Sequence, residues 1–445
     1  MKFSAHPRVK DLMPKAQETV NSTIKLHFGE PSALNAWDEL PVEFGLVTGA
    51  VTEVQDAGKG QKKLTVELEE ESDANLTGDS LQFYREDEEG EELLDFIRVV
   101  SHDPKNNTLV VSGDHFPEAE AEVSIGGHEL AQGQKLYLKH CLHCHGVTGD
   151  GQGATAKYLN PKPRDFRLGL FKFKSTDYAD KPSHADLVRT LNEGIPGTYM
   201  PSFKLLSDED KAAIVEYVRW LAIRGEIEKR LIDFFEADFS METYTETKQE
   251  GKEGLEELEQ DFQDLVTDDL PDEFESIYEQ IGRKWELADD EKSIVNPSEP
   301  RVPDTPESRQ RGQEFYVKVK CITCHGPLGN GDGSETETYK TDPLTQITYS
   351  KPGLYDSWGE LVKPRNLRLG QYRGGNRPID VFRRIKAGIP GTPMQAFSSA
   401  LSDKEIWDVV NYVLHLPHED PGMKHKTSSS ETAAVPETTS GTDSE

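Results

Sequence analysis

The 445-residue chain holds only four cysteines, six methionines and five tryptophans, and its 50 Lys plus Arg are outnumbered by 81 Asp plus Glu. Four cysteines are too few for a disulfide scaffold in a chain of this length. The shortage of positive charge, a formal net of −31, excludes nucleic acid as the partner, because phosphate backbones attract basic faces. It also excludes docking on an anionic membrane through a polybasic patch. No apolar run approaches the ~20 residues of a membrane-spanning helix. The start, Met1-Lys2-Phe3-Ser4-Ala5-His6-Pro7-Arg8, has no apolar stretch behind its charges, so no signal peptide is visible. The hydrophobic fraction of 35% is low but serves several modest cores, and the length suits roughly three domains of ~150 residues.

The four cysteines form two C-x-x-C pairs, each followed at once by histidine: Cys141-Leu142-His143-Cys144-His145 and Cys321-Ile322-Thr323-Cys324-His325. C-x-x-C-H is the attachment pattern of c-type haem. Two thiols at this spacing reach the two vinyl groups on one porphyrin edge, and the next residue carries an imidazole under the iron. A thioredoxin-type redox pair needs no histidine, and a zinc site needs four ligands, which both pairs together would supply. Two copies that use every cysteine favour haem over either.

The chain also repeats itself around these motifs. Gly133-Gln134-Lys135-Leu136-Tyr137 precedes the first pair and Gly312-Gln313-Glu314-Phe315-Tyr316 the second, each with the apolar spacing of a short amphipathic helix. Glycine loops follow at Gly149-Asp150-Gly151 and Gly331-Asp332-Gly333. Lys162-Pro163-Arg164-Asp165-Phe166-Arg167-Leu168-Gly169 then matches Lys363-Pro364-Arg365-Asn366-Leu367-Arg368-Leu369-Gly370. Gly194-Ile195-Pro196-Gly197-Thr198-Tyr199-Met200 matches Gly388-Ile389-Pro390-Gly391-Thr392-Pro393-Met394. Leu206-Ser207-Asp208 and Leu401-Ser402-Asp403 open a last helix in each copy, with serine as the expected N-cap.

Met200 lies 55 residues after His145 and Met394 lies 69 after His325, on the same turn. A thioether is a natural sixth ligand for low-spin haem iron and raises the reduction potential; the competing role is to fill a core gap. The shared turn, stiffened by proline and bent by glycine, favours the ligand.

Each repeat resembles a class I cytochrome c domain, over about 131–225 and 305–417, and the tandem resembles the two-haem c-type cytochromes of planctomycete-like bacteria. The resemblance implies two covalently attached haem c groups, with His145, Met200, His325 and Met394 as iron ligands and Cys141, Cys144, Cys321 and Cys324 as attachment points. It also implies electron transfer. Arg164, Arg167, Arg365 and Arg368 depart from a minimal domain of this kind. Either they pair with haem propionates or across domains, using the planar fork that suits carboxylates, or they are solvated loop residues. His184 is an alternative axial ligand in the first copy only; His140 and His143 flank the cysteines and are not expected to reach the distal face.

The expected fold is mainly α: two class I cytochrome c domains joined by an acidic helical linker and preceded by a small β-rich domain. Residues 1–130 would hold a helix from Val9 to Phe28, broken near Pro14, and then a small antiparallel β domain from alternating apolar positions between Glu43 and Val111. Residues 131–225 form the first cytochrome c domain and 226–304 the linker. In the linker, Leu255, Leu258, Phe262 and Leu265 make one helical stripe and Phe274, Ile277, Ile281 and Trp285 another. Pro297, Pro300, Pro303 and Pro306 form an extended strap into the second domain, 305–420, which carries an insertion at about 334–361. Residues 421–445 are expected to be a disordered tail. The acidity is uneven: 11 basic and 27 acidic residues in 1–130, 14 and 10 in 131–225, and 7 and 25 in 226–300.

The leading expectation is a carrier or relay subunit of a respiratory chain, passing electrons to redox proteins such as other cytochromes, a respiratory complex or a terminal oxidase. A two-haem peroxidase-like enzyme, with one labile distal ligand, and a haem-based gas sensor are the alternatives. The haem chemistry implies a periplasmic or otherwise extracytoplasmic site, in tension with the missing signal peptide.

Overall fold

The computed structural model describes residues 1–70, 74–86, 90, 92–343 and 345–419. The tail expected over 421–445 lies outside the described residues. The expected front helix is split into a 3-10 turn, Pro7–Asp11, and helix α1, Pro14–Phe28. Proline has no N–H to donate into a helix interior, and Pro14 therefore sits in the first turn of α1.

Six antiparallel strands follow: β1 Val47–Gly58, β2 Gln61–Leu68, β3 Ser80–Glu86, β4 Glu92–Asp103, β5 Thr108–Ser112 and β6 Glu122–Gly126. They close into a barrel in the order β1-β2-β5-β4-β3-β6, with β6 paired back on β1. Leu64, Val66, Leu109 and Val111 alternate with less buried neighbours and fill the interior, as a period of two requires. The short last strand was not anticipated, because Val123 and Ile125 alone make a weak alternation; it removes the free edges that an open sheet would leave.

Helix α2, His128–His140, starts the first repeat, followed by α3, His184–Glu193, and α4, Asp208–Glu236. The boundary expected at 225/226 falls inside α4, which runs unbroken for 29 residues. Beyond it come α5 Met241–Glu250, α6 Lys252–Asp268 and α7 Leu270–Leu287. The apolar stripes of α6 and α7 pack inward: Phe262 meets Phe235 and Phe239, and Trp285 meets Phe171. Helix α1 joins the same core, with Phe28 edge-on to Trp220 at 5.4 Å. The front segment is thus two pieces: α1 shares a core with the first repeat and the linker, while the barrel keeps its own.

The second repeat is built on α8 Pro306–Lys318, α9 Pro378–Lys386 and α10 Asp403–His415. Ser183, Ser207 and Ser402 cap α3, α4 and α10 through the backbone N–H of the third helical residue. The proline strap is fastened to α10: Ser298 donates to Asp403 at 2.6 and 2.7 Å, and the Trp407 indole donates to the Glu299 carbonyl at 3.1 Å.

In both repeats the first helix crosses the last at a glycine. A Cβ on Gly133 would lie 2.1 Å from the Ala213 carbonyl oxygen, and one on Gly312 would lie 2.1 Å from that of Asp408. Backbone cannot yield there as a flexible side chain can. Gly133→Ala and Gly312→Ala are each expected to destabilise the protein by about 1–3 kcal/mol, the usual cost of overpacking. Denaturant midpoints unchanged from the parent would show that the helices can slide apart freely.

Candidate haem sites

Each C-x-x-C-H closes the helix before it with one further turn, Leu142–His145 or Ile322–His325. The buried Tyr137 hydroxyl donates to the Gly146 carbonyl, and Tyr316 donates to Gly326, both at 2.8 Å. The glycine loop then folds back on the motif. Gly151 N–H donates to the His145 carbonyl at 2.9 Å and Gly331 to His325 at 2.8 Å. Both glycines have positive φ, 71° and 79°, and a Cβ would run into the Pro163 or Pro364 carbonyl, so only glycine fits.

This loop brings the repeated octamer beside the histidine. His145 Nδ1 donates to the Arg164 carbonyl at 3.0 Å and His325 Nδ1 to that of Arg365 at 3.1 Å. A carbonyl can only accept, so Nδ1 carries the proton and Nε2 keeps a free lone pair, as an iron ligand needs. Burial pushes the His145 imidazole down to about 4, opposed by that backbone hydrogen bond, and burial also lowers His325. Phe166 stacks on His145 at 4.7 Å. None of the four cysteines is in a disulfide, and burial is the chief cause that pushes Cys141 and Cys321 up to about 12.

The methionine turns are duplicates. Ile195 N–H donates to the Met200 carbonyl at 3.1 Å and Met200 N–H to the Thr198 hydroxyl at 3.1 Å; for Ile389, Met394 and Thr392 the distances are 2.9 and 3.2 Å. Cys141, Cys144, His145, Met200 and Arg164 line one cavity of about 1620 Å³, larger than the ~300–1,000 Å³ of ordinary small-ligand pockets. Its remaining wall is mixed: Leu191, Ile214 and Val218 from α3 and α4 give it an apolar side, and charged residues such as Asp150 and Lys172 give it a polar one. In the second repeat, Cys321 and Met394 pack against one core. Free Nε2 lone pairs, paired thiols and a cavity with one apolar side in the first repeat fit a haem.

The four arginines divide. Arg164 faces the cavity and stacks on Trp358 at 3.6 Å. Arg365 donates to the Gln371 carbonyl and side chain at 2.6 and 3.0 Å, with its guanidinium against Gly197. Arg167 and Arg368 are both engaged by protein groups, and Arg167 does not line the first cavity. Asp165 and Asn366 accept from the backbone N–H two residues on, at 3.0 Å each, and the turn sends the second arginine toward the last helix. Arg167 forms a bidentate pair with Asp165 and packs on Gly225, and Arg368 donates to the Glu419 carbonyl. His184 starts α3, 3.4 Å from Glu216, and does not line the cavity. His140 and His143 both line it; the His140 ring meets Phe203, and its Nε2 is buried without a partner among the described residues.

The second domain reaches this cavity too. Asp356 and Trp358, in the insertion, and Arg373 all line it, and Asp356 pairs with Lys172 at 2.9 Å. Nothing in the sequence placed the insertion there, since the contact joins residues 184 apart. The domains are also pinned by Arg189 on α3 and Asp380 on α9, 2.9 Å apart.

The cytochrome c family model matches residues 130–222 and 309–417. The chain therefore carries two cytochrome c domains, a class that binds haem c covalently. Among solved structures it is similar to a chain of the Kuenenia stuttgartiensis reducing HAO-like protein complex, at 25% identity and a TM-score of 0.43, over 64% of this chain and 95% of that one. No curated protein matches it.

Burial alone would raise the Asp380 carboxyl, but hydrogen bonds from Arg377 and the charges of Arg189, Arg377 and Arg384 outweigh it and hold the group below the ordinary carboxylate range. A depressed carboxylate contributes fully above its unfolded value near ~4 and loses that contribution as pH falls through the folded value. Asp380→Asn is expected to be less stable than the parent at neutral pH, and the gap should close below about pH 4. Urea midpoints across that range check it; a gap independent of pH would contradict the assignment.

Proposed function

We propose that the protein is a two-haem electron carrier or relay, with Cys141 and Cys144 holding one haem c and Cys321 and Cys324 the other. His145 and His325 would be the proximal ligands, and Met200 and Met394 the distal ones. The observation that carries this reading is duplication in three dimensions: both repeats tie histidine Nδ1 to the octamer carbonyl and methionine to the same threonine turn. Haem supplies the one-electron couple when bound. The chain supplies the rest. The hydrogen bond at Nδ1 fixes the imidazole plane and raises its basicity toward a metal. Around the first cavity, Leu191, Ile214 and Val218 would shield the ring from water, and the stapled methionine turns would limit rearrangement between oxidation states.

Paired methionine turns favour transfer over a peroxidase-like enzyme, which needs one iron with an open sixth position. Covalent haem attachment supports a site outside the cytoplasm, and no described helix is long and apolar enough to cross a membrane. The partners are redox proteins, and the acidic front segment and linker would steer a basic one.

The intact protein should exceed its polypeptide mass by two haem groups after denaturation. Its ferric spectrum should carry the far-red charge-transfer band of methionine-ligated haem, lost by half in Met200→Ala and in Met394→Ala. A single added haem defeats the two-haem reading. High-spin signals in the unmodified protein, with carbon monoxide binding on reduction, would instead favour the enzyme or sensor.

A further inference from the structure

The first cavity gathers half-buried positive charge and unused donors from both domains. Arg164 and Lys172 line it from the first repeat, and Arg373 from the second. Of the carboxylates that line it, Asp356 is taken by Lys172 and Asp165 by Arg167, Asp150 accepts from Ser4 and the Gln152 N–H, and Glu360 is exposed. Among the described residues the Arg164 guanidinium makes no side-chain hydrogen bond; it lies flat on Trp358 at 3.6 Å. Burial pushes Arg164 down to about 10 and, with the charge of Arg164, pushes Lys172 down to about 8. Burial followed by the charge of Arg365 lowers Arg373. Cations drawn this far out of water are stabilised by a further anion.

Two polar atoms at the same wall point to where it binds. The Trp358 indole Nε1 and the Arg373 Nε are both buried without a hydrogen-bond partner. Both belong to the second domain. Trp358 is held in place from behind: the Ser357 N–H donates to the Gly391 carbonyl at 3.0 Å, and a Cβ on Gly391 would lie 2.4 Å from the indole ring. Gly391 is part of the second methionine turn, so Trp358 is wedged between that turn and the first cavity. The opposite contact is direct, with Arg365 of the second octamer against Gly197 of the first methionine turn. The insertion has no counterpart in the first repeat, so this wall is built on one side only.

We propose that the first haem site is completed by the second domain: Trp358 and Arg373, through their unpartnered N–H groups, join Arg164 and Lys172 in holding the carboxylates of the haem attached at Cys141 and Cys144. This rests on the two-haem reading and goes beyond it. The two haems share the same ligand types, yet the first has its acidic groups neutralised from across the domain boundary. The second domain thereby tunes the potential of the first haem, and that haem is the more easily reduced for it.

The test is potentiometric titration of the full-length, haem-loaded protein followed by absorbance, on Trp358→Phe, Arg373→Gln and Arg373→Lys. Phenylalanine keeps the plate under Arg164 and removes only the donor. Loss of positive charge or of a donor near the haem carboxylates favours the ferric state, so one wave should move to lower potential. For Arg373→Gln the expected change is about tenfold in the reduced-to-oxidised ratio, ~59 mV for one electron. Trp358→Phe should move the same wave less, and Arg373→Lys should leave it near the parent. Met200→His, which changes only the first site's distal side chain, identifies the wave that belongs to the first haem. Two unmoved waves, or movement of the other wave alone, would overturn the proposal while the mass still shows two haems. Absence of haem at Cys141 and Cys144 would instead remove the reading beneath it.

Discussion

The hydrogen bond from histidine Nδ1 to an octamer carbonyl is the constraint from which each site follows. For His145 to reach the Arg164 carbonyl at 3.0 Å, the chain must reverse within the residues between them. Gly151 makes that reversal possible with a backbone conformation that a side chain would block. The octamer must then lie beside the glycine loop, which the Phe166 N–H secures on the Gly149 carbonyl at 2.7 Å; Leu367 does the same on Gly329. The phenyl ring of Phe166 then falls against the imidazole. One bond therefore accounts for the glycines, the octamer and the stacking ring together, and its repetition at His325 shows that it is a property of the fold.

Most of this was legible because chemistry imposed short, fixed spacings. The thiols, histidines, methionine turns and serine caps sit at intervals that covalent attachment, ligation or helix capping dictates, and two copies cancelled the noise of one. What escaped detection was long-range. The Arg167 and Arg368 turns depend on which way Asp165 and Asn366 bend the chain, and the identical letters of the octamer do not state it. The closing strand Glu122–Gly126 has too few alternating positions to stand out. The contact of Trp358 with Arg164 joins two segments that no local pattern relates.

The structure also changes the meaning of the acidic segment. Residues 226–300 are largely helical, as their apolar stripes led one to expect, and α4 enters them without a break and carries the first domain's core outward. Its buried charges are matched within the helix bundle, with Arg219 on Glu216, Arg224 on Glu228 and Lys181 on Glu226. Trp285 donates to Glu226 at 3.0 Å, so α7 closes over that last pair. The surplus acids lie on faces turned to water, where they contribute to the outer field more than to the fold.

Rigidity of the linker is what gives the interdomain wall its meaning. A tether of free chain would let the second domain approach the first in many ways, and a contact such as Trp358 with Arg164 would be one encounter among them. Here the path is fixed at each stage. Val295 N–H donates to the Ser175 carbonyl at 2.8 Å, which leaves the strap at the first domain, and Ser298 and Glu299 receive it on α10 within four residues. Arg383 of α9 reaches back to the Val295 carbonyl at 2.9 Å, and Arg189 grips Asp380 from the other side. With both ends of the connection anchored, the two domains meet along a single surface, and a side chain of one can serve as a permanent wall of the other's cavity.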